Sequence, residues 1–179
     1  MDLTEQAVFF EIVDRVERDT ANNQHLYAVL EAVNLVTGGS EKFPERAPEK
    51  RITYGVQLMQ ELLALPAIPG IATLSAMIAV MLIGEYAQIR QYDKALASGQ
   101  TALEILKVEP RLAYKYAACL NDIGAVLFVM GRNSDALAYF EKAVSIYDQL
   151  PDRSRGEGAR ANLETVCAAL GRPKKKRGS

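Results

Sequence analysis

The sequence predicts an all-α fold built from antiparallel helix pairs in a stacked array, and three observations predict it. Two stretches superimpose when 41 is added to the numbering of the first. Leu82, Tyr86, Ala95, Leu96, Ala102, Leu103 and Leu106 fall onto Ile123, Leu127, Ala136, Leu137, Ala143, Val144 and Tyr147. Self-similarity at a fixed period means that one supersecondary unit is used more than once. Helix-forming Ala, Leu, Glu, Gln and Arg recur, and apolar residues return at helical spacing. No stretch reads as a strand, because short apolar runs such as Ile68–Ile71 are broken by Pro69 and Gly70.

The elements follow in order. Leu3–Arg18 reads as an amphipathic helix with Val8, Ile12, Val13 and Val16 on one face. Residues 20–23 break it. A second helix is expected from about Asn23 to Thr37, with Leu26, Val29, Leu30, Val33 and Val36 as its apolar side. Gly38 and Gly39 end it, and Phe43-Pro44 and Ala47-Pro48 mark a loop. A third helix is expected at Glu49–Leu65, a turn at Pro66–Gly70 and a fourth helix at Ile71–Arg90. A fifth is expected from Tyr92 or Asp93 to Lys107, and a sixth over Arg111–Met130. Gly131 to Asn133 make a tight connection, and Ser134 is the expected N-cap of a seventh helix over Asp135–Leu150. Pro151–Gly158 reads as a polar loop. An eighth helix over Glu157–Leu170 is stopped by Gly171, Arg172 and Pro173.

These elements group into an N-terminal helix region (1–22) and a divergent helix pair with an inserted loop (23–70). Repeats plus a closing helix (71–171) and a short basic tail (172–179) follow. The chain has 179 residues, 49% hydrophobic and 24% charged, with a net charge of −1. No global field therefore draws it to nucleic acid or to an anionic membrane, and neither partner is expected. From Leu62 to Gly84 there is no charged residue, a run long enough to span a bilayer. Pro66, Pro69 and Gly70 interrupt it, and its second half recurs at the same shift around Lys115 and Asp122, so it reads as a buried central helix. The start Met1–Glu5 is acidic at once, unlike a signal peptide. Cys119 and Cys167 sit in apolar helical runs, as small buried hydrophobes. They offer no metal spacing and no disulfide framework, and a reduced, cytoplasmic setting is expected.

The clearest unit is Ala117–Leu150: Leu120, then Ile123-Gly124, Leu127, Gly131, Asp135-Ala136-Leu137, Phe140 and Ala143-Val144. This order and spacing resembles a tetratricopeptide repeat. Gly124 is expected to face Ala136 where the two helices cross, with Phe140 and Leu127 filling the remaining space. The preceding unit, Ala76–Lys107, keeps Leu82, Tyr86, Ala95 and Ala102. Ile83 stands there in place of the glycine and Gly99 in place of the bulky residue, a trade that reads as volume compensation. Leu163, Cys167 and Gly171 follow Ile123, Leu127 and Gly131 at a spacing of 40, as one helix of a further repeat. Leu30, Asn34 and Gly38, with Glu49–Leu65, form a weaker unit in which Tyr54 replaces the expected Ala. The period of 41 is similar to that of the longer arrays of this family. The phrase Ala138–Asp152 looks like the bacterial regulator type, that of transcriptional activators and peptide-responsive regulators.

The resemblance implies a short right-handed α-solenoid that holds a partner on its concave face. Carried over residue by residue, the family's groove positions are Met77, Val80, Gly84, Ala87 and Gln88 in one unit. In the next they are Ala118, Asn121, Ala125, Phe128 and Val129. The peptide-carboxylate clamp of chaperone-binding members needs Lys and Asn; only Asn121 is present here, and no clamp is expected. An apolar groove has two readings. It takes an amphipathic helix or hydrophobic peptide of a partner protein, or it is covered by the chain's own N-terminal helix or by a second copy in a homodimer. The implied function is a non-enzymatic interaction module, an adaptor or scaffold. The alternative is a regulatory protein in transcription or signalling whose array senses a peptide or protein.

No constellation carries chemistry. His25 is the only histidine and reads as a helix-surface residue. Gly38-Gly39-Ser40 lacks the Lys-Ser/Thr of a phosphate loop and reads as a helix stop. No catalytic residue, cofactor or metal is expected. Pro173–Arg177 resembles a nuclear import signal or a nucleic-acid contact, and reads equally as a solvated tail.

Overall fold

The computed structural model describes residues 48–64, 71–108 and 110–172. The expected helices at Leu3–Arg18 and Asn23–Thr37, His25, Gly38–Ser40, the loop at Phe43-Pro44, the turn Pro66–Gly70 and the tail Lys174–Arg177 lie outside these residues. The described chain consists of α1 (Pro48–Ala64), α2 (Ile71–Gln88), α3 (Tyr92–Leu106), a 3-10 turn at Pro110–Leu112, α4 (Ala113–Val129) and α5 (Asn133–Gln149). A second 3-10 turn (Arg153–Gly156) and α6 (Glu157–Ala169) complete it. It is all-α, and among the described residues there is no strand.

Helix ends follow local chemistry. Pro48 opens α1, where its fixed φ fits and its missing N–H costs no bond. The α2, α4 and α6 helices stop in the same way, with two backbone bonds that close the last turn. Arg90 N–H donates to Ala87 O and Gln91 N–H to Tyr86 O; the pairs Gly131/Phe128 with Arg132/Leu127, and Gly171/Ala168 with Arg172/Cys167, repeat this. The residue at this stop has positive φ each time: Arg90 at 57°, Gly131 at 77° and Gly171 at 66°. Glycine adopts this conformation without strain and arginine does not.

Three expectations are corrected here. Ser134 is not the N-cap of α5. The helix already starts at Asn133, its N-cap is Arg132 and no side chain caps it. Arg132 instead reaches Asp135 in the first turn with Nε at 2.8 Å and Nη2 at 2.7 Å. That acidic residue also suits the helix N-terminus. The sixth predicted helix starts later than expected because Pro110–Leu112 winds as a 3-10 turn first. The predicted loop Pro151–Gly158 contains a 3-10 turn, capped by Asp152, whose carboxylate accepts from Ser154 N–H at 3.1 Å and from Ser154 Oγ–H at 2.6 Å. The ring of Phe140, which the sequence places in the space beside Gly124, lies directly over that glycine.

Each helix packs antiparallel on its neighbour in sequence, α2 on α3 and α4 on α5 most extensively. The core between them is continuous: Leu74, Ile78, Ile83, Ala95, Ala102, Cys119, Phe140, Ala143 and Val166 are almost fully buried. Along the stack, α2 also touches α4 and α4 touches α6, while α3 and α5 approach each other less. The first helix of each pair therefore lines the inner side of the curve. Positions repeat in burial as well as in sequence: Ile78, Cys119 and Ala159 are all buried, and so are Glu85, Val126 and Val166. These triplets are spaced first by 41 and then by 40, so α6 is a first helix set one position closer. The face of α6 that corresponds to Ala117, Leu120 and Gly124 carries Glu157, Arg160 and Glu164. Arg160 ties it back to α5 and the turn, with Nη2 at 2.6 Å from Asp148 Oδ1 and Nη1 donating to Arg153 O at 2.9 Å.

The α2 helix and the stretch Pro110–Val129 are long and apolar enough to cross a membrane by length and composition. In this fold 61% of the α2 stretch is buried. The trade between Ile83 and Gly99 is partly as expected. A Cβ on Gly99 would meet Ile83 Cδ1 at 3.4 Å, yet the nearer atom is Ile123 Cγ1 of the next unit at 2.5 Å. Here α4 comes close to α3, close enough for the Cys119 thiol to contact Gly99 O at 3.5 Å.

Candidate functional site

The inner side of the array is formed by α2, α4 and α6. Of the groove positions read from the sequence, Met77, Val80, Ala87, Ala118, Asn121, Ala125 and Phe128 are partly buried, and Gly84, Gln88 and Val129 are exposed. Met77, Val80, Ala87, Ala125 and Phe128 rest their inner ends against the core. Val129 is 64% exposed. Half-exposed apolar side chains on neighbouring helices form a shallow surface able to bury a few more apolar groups, each contributing about 1.5–3 kcal/mol if fully covered.

The site is less uniformly apolar than the sequence suggested. At its α4–α6 end, Asn162 Nδ2 donates to Asn121 Oδ1 at 2.9 Å. Asn121 Nδ2 in turn makes a longer contact of 3.4 Å with Asp122 Oδ1. Asp122 is partly buried, and loss of water pushes its carboxyl up to about 6; the Asn121 bond and the charge of Lys115 pull it the other way. Sequence reasoning singled out Asn121 and missed Asn162. The signal was present: with the slip of one position in α6, Asn162 stands at the place of Asp122.

At the α1–α2 end, Glu85 is 4% exposed and pairs with Arg51 Nη1 at 2.5 Å. Burial raises the carboxyl pKa and the guanidinium lowers it, burial being the larger effect. Glu85 marks the end of the charge-free run, and nothing in the sequence named its partner.

The opposite side carries an open cleft of about 500 Å³ between α3 and α5, floored by Ile123 and Leu127 of α4. Ala97 and Ala138, equivalent positions of the two units, line it and are too small to close the gap between the two second helices.

The cysteines behave as small hydrophobes. Burial pushes the Cys119 thiol up to about 12, and Asp122 adds to it. Its thiolate is therefore not populated at neutral pH. Among the described residues no three His, Cys, Asp or Glu side chains come together as a metal site.

A family model described as tetratricopeptide repeat matches residues 77–149. It spans α2 to α5, the two units joined by the sequence shift. No curated protein and no solved structure matches the chain. Repeats of this family are generally protein-interaction scaffolds rather than enzymes. Its sequence period, paired helices and recurring helix stops all agree with that match: residues 77–149 of this chain belong to the tetratricopeptide-repeat family.

Proposed function

We propose that this protein is a non-enzymatic adaptor that docks a helix or hydrophobic peptide of a partner protein on the inner face formed by α2 and α4. One observation carries the reading. The positions that line the inner curve, Met77, Val80, Ala87, Ala125 and Phe128, are apolar yet only partly buried. A docked amphipathic helix would complete their burial through anchors at helical spacing. A second copy of the chain and the chain's own expected helix at Leu3–Arg18 are the other occupants with the same chemistry. Sensing of such a peptide by a regulatory protein is the same binding event with a different consequence.

The test is affinity purification with the full chain, comparing wild type with Phe128→Asp and with Ala138→Glu on the opposite face. The reading expects a partner, or a second tagged copy, to be lost with Phe128→Asp and kept with Ala138→Glu. Equal recovery with both variants would overturn the inner-face assignment. Light scattering of the same three proteins separates a homodimer from a foreign partner.

A further inference from the structure

The geometry points to a proton-linked relay on the inner face, in which the Asp122 carboxyl group sets the orientation of the Asn121 amide and, through it, that of Asn162. This deepens the docking reading above, because it assigns regulation to the same surface. The chain of bonds is Asn162 Nδ2–H to Asn121 Oδ1 at 2.9 Å, and Asn121 Nδ2–H to Asp122 Oδ1 at 3.4 Å. It crosses from α6 to α4.

The direction of this chain is fixed by the charge at its end. An ionised carboxylate accepts hydrogen bonds and donates none, while an amide offers oxygen on one side and N–H on the other. With Asp122 ionised, Asn121 turns its nitrogen to the carboxylate and its oxygen to Asn162. Asn162 must then spend an N–H on α4 and keeps its own oxygen for the groove. A protonated Asp122 has an O–H to donate and no longer selects this order. Both amides are then able to turn, which exchanges the acceptor that Asn162 offers to a docked peptide for donors.

The surroundings leave Asp122 as the group that changes near neutral pH. On its own helix Lys115 acts on it, and its own charge acts on Cys119 there and on Tyr147 of α5. Burial raises both the Cys119 thiol and the Tyr147 phenol, so each stays neutral there. Arg155 of the second 3-10 turn acts on Tyr147. From α6 the facing group is the Asn162 amide, and Arg160 is held by Asp148 and the Arg153 carbonyl.

Side-chain amide ¹H–¹⁵N spectra of the full chain, recorded from about pH 5 to about pH 7.5, test this without any partner. The expected result is a titration of the Asn162 Nδ2 signals with a midpoint near 6, although Asn162 has no titratable group. Asp122→Asn is expected to abolish it. Asn121→Ala is expected to leave the Asp122 carboxyl ¹³C titration in place while Asn162 stops following it, which keeps the test valid if Asp122→Asn fails to fold. Asn162 signals that do not move, or that still follow pH in Asn121→Ala, would overturn the relay. Such a failure leaves the docking reading standing, since that reading rests on partner capture.

Discussion

The ring of Phe140 lies so close over the backbone of Gly124 that a β-carbon at residue 124 would sit 2.7 Å from Phe140 Cε1 and 2.9 Å from Cδ1. Phe140 is 1% exposed, so the ring has little room to retreat. Gly124→Ala adds one methyl to a filled space, which costs about 1–3 kcal/mol, against about 1 kcal/mol gained from helix propensity. A net loss of up to about 2 kcal/mol is expected in urea unfolding. Adding Phe140→Leu removes the clash, so a double-mutant cycle is expected to show a coupling of about 1 kcal/mol.

Arg90 occupies the helix-stop position that glycine fills at 131 and 171, with φ of 57°. A non-glycine residue in this conformation costs about 1–2 kcal/mol, partly offset by the freedom glycine has in the unfolded chain. Arg90→Gly is expected to stabilise the protein by about 0.5–1 kcal/mol in urea unfolding.

Glu85 stands where the later units place Val126 and Val166, and it pairs with Arg51. Arg51→Met leaves the carboxylate buried without its cation, and a loss of about 3 kcal/mol is expected near neutral pH. Without Arg51, only desolvation acts on Glu85, so its pKa rises further. The loss should therefore shrink as the pH falls and the carboxyl takes up a proton. Arg51→Met with Glu85→Val restores the apolar pattern of the other units and is expected to unfold close to wild type.

Asp122 has a folded pKa raised from 3.8 to about 6. The folded state therefore holds this proton more tightly than the unfolded state. Its contribution to stability is full below about 4 and is lost as the pH rises through about 6. At about 1.4 kcal/mol per tenfold change in proton affinity, the loss amounts to at most ~3 kcal/mol. Asp122→Asn is expected to unfold at higher urea than wild type at pH 7.5, and the two should converge near pH 4.

Much of the fold was legible in the sequence because volume constraints recur with the repeat. Ala95 and Ala136, Ala102 and Ala143, and Gly99 and Gly124 mark close helix approaches, and a larger side chain at any of them separates two helices. The Ser134 cap failed because a capping-type residue near a helix start says little when Arg132 and Asp135 already close the first turn. The Arg51–Glu85 pair was not legible, since ion-pair partners on separate helices leave no spacing in the chain. The polar end of the inner face was half legible. Asn121 stood at a groove position and the spacing of 40 lay in the chain, but the hydrogen bond from Asn162 to Asn121 appears only once α6 is packed.

The most direct test of the inner-face account is site-specific photocrosslinking in the full chain. A photoreactive side chain is placed at Ala125 on α4 and, separately, at Ala138 on α5. The account predicts a discrete protein adduct from Ala125, to a partner or to a second copy, that Phe128→Asp abolishes, and none from Ala138. Adducts from Ala138 alone, or from both sites and unaffected by Phe128→Asp, would contradict it.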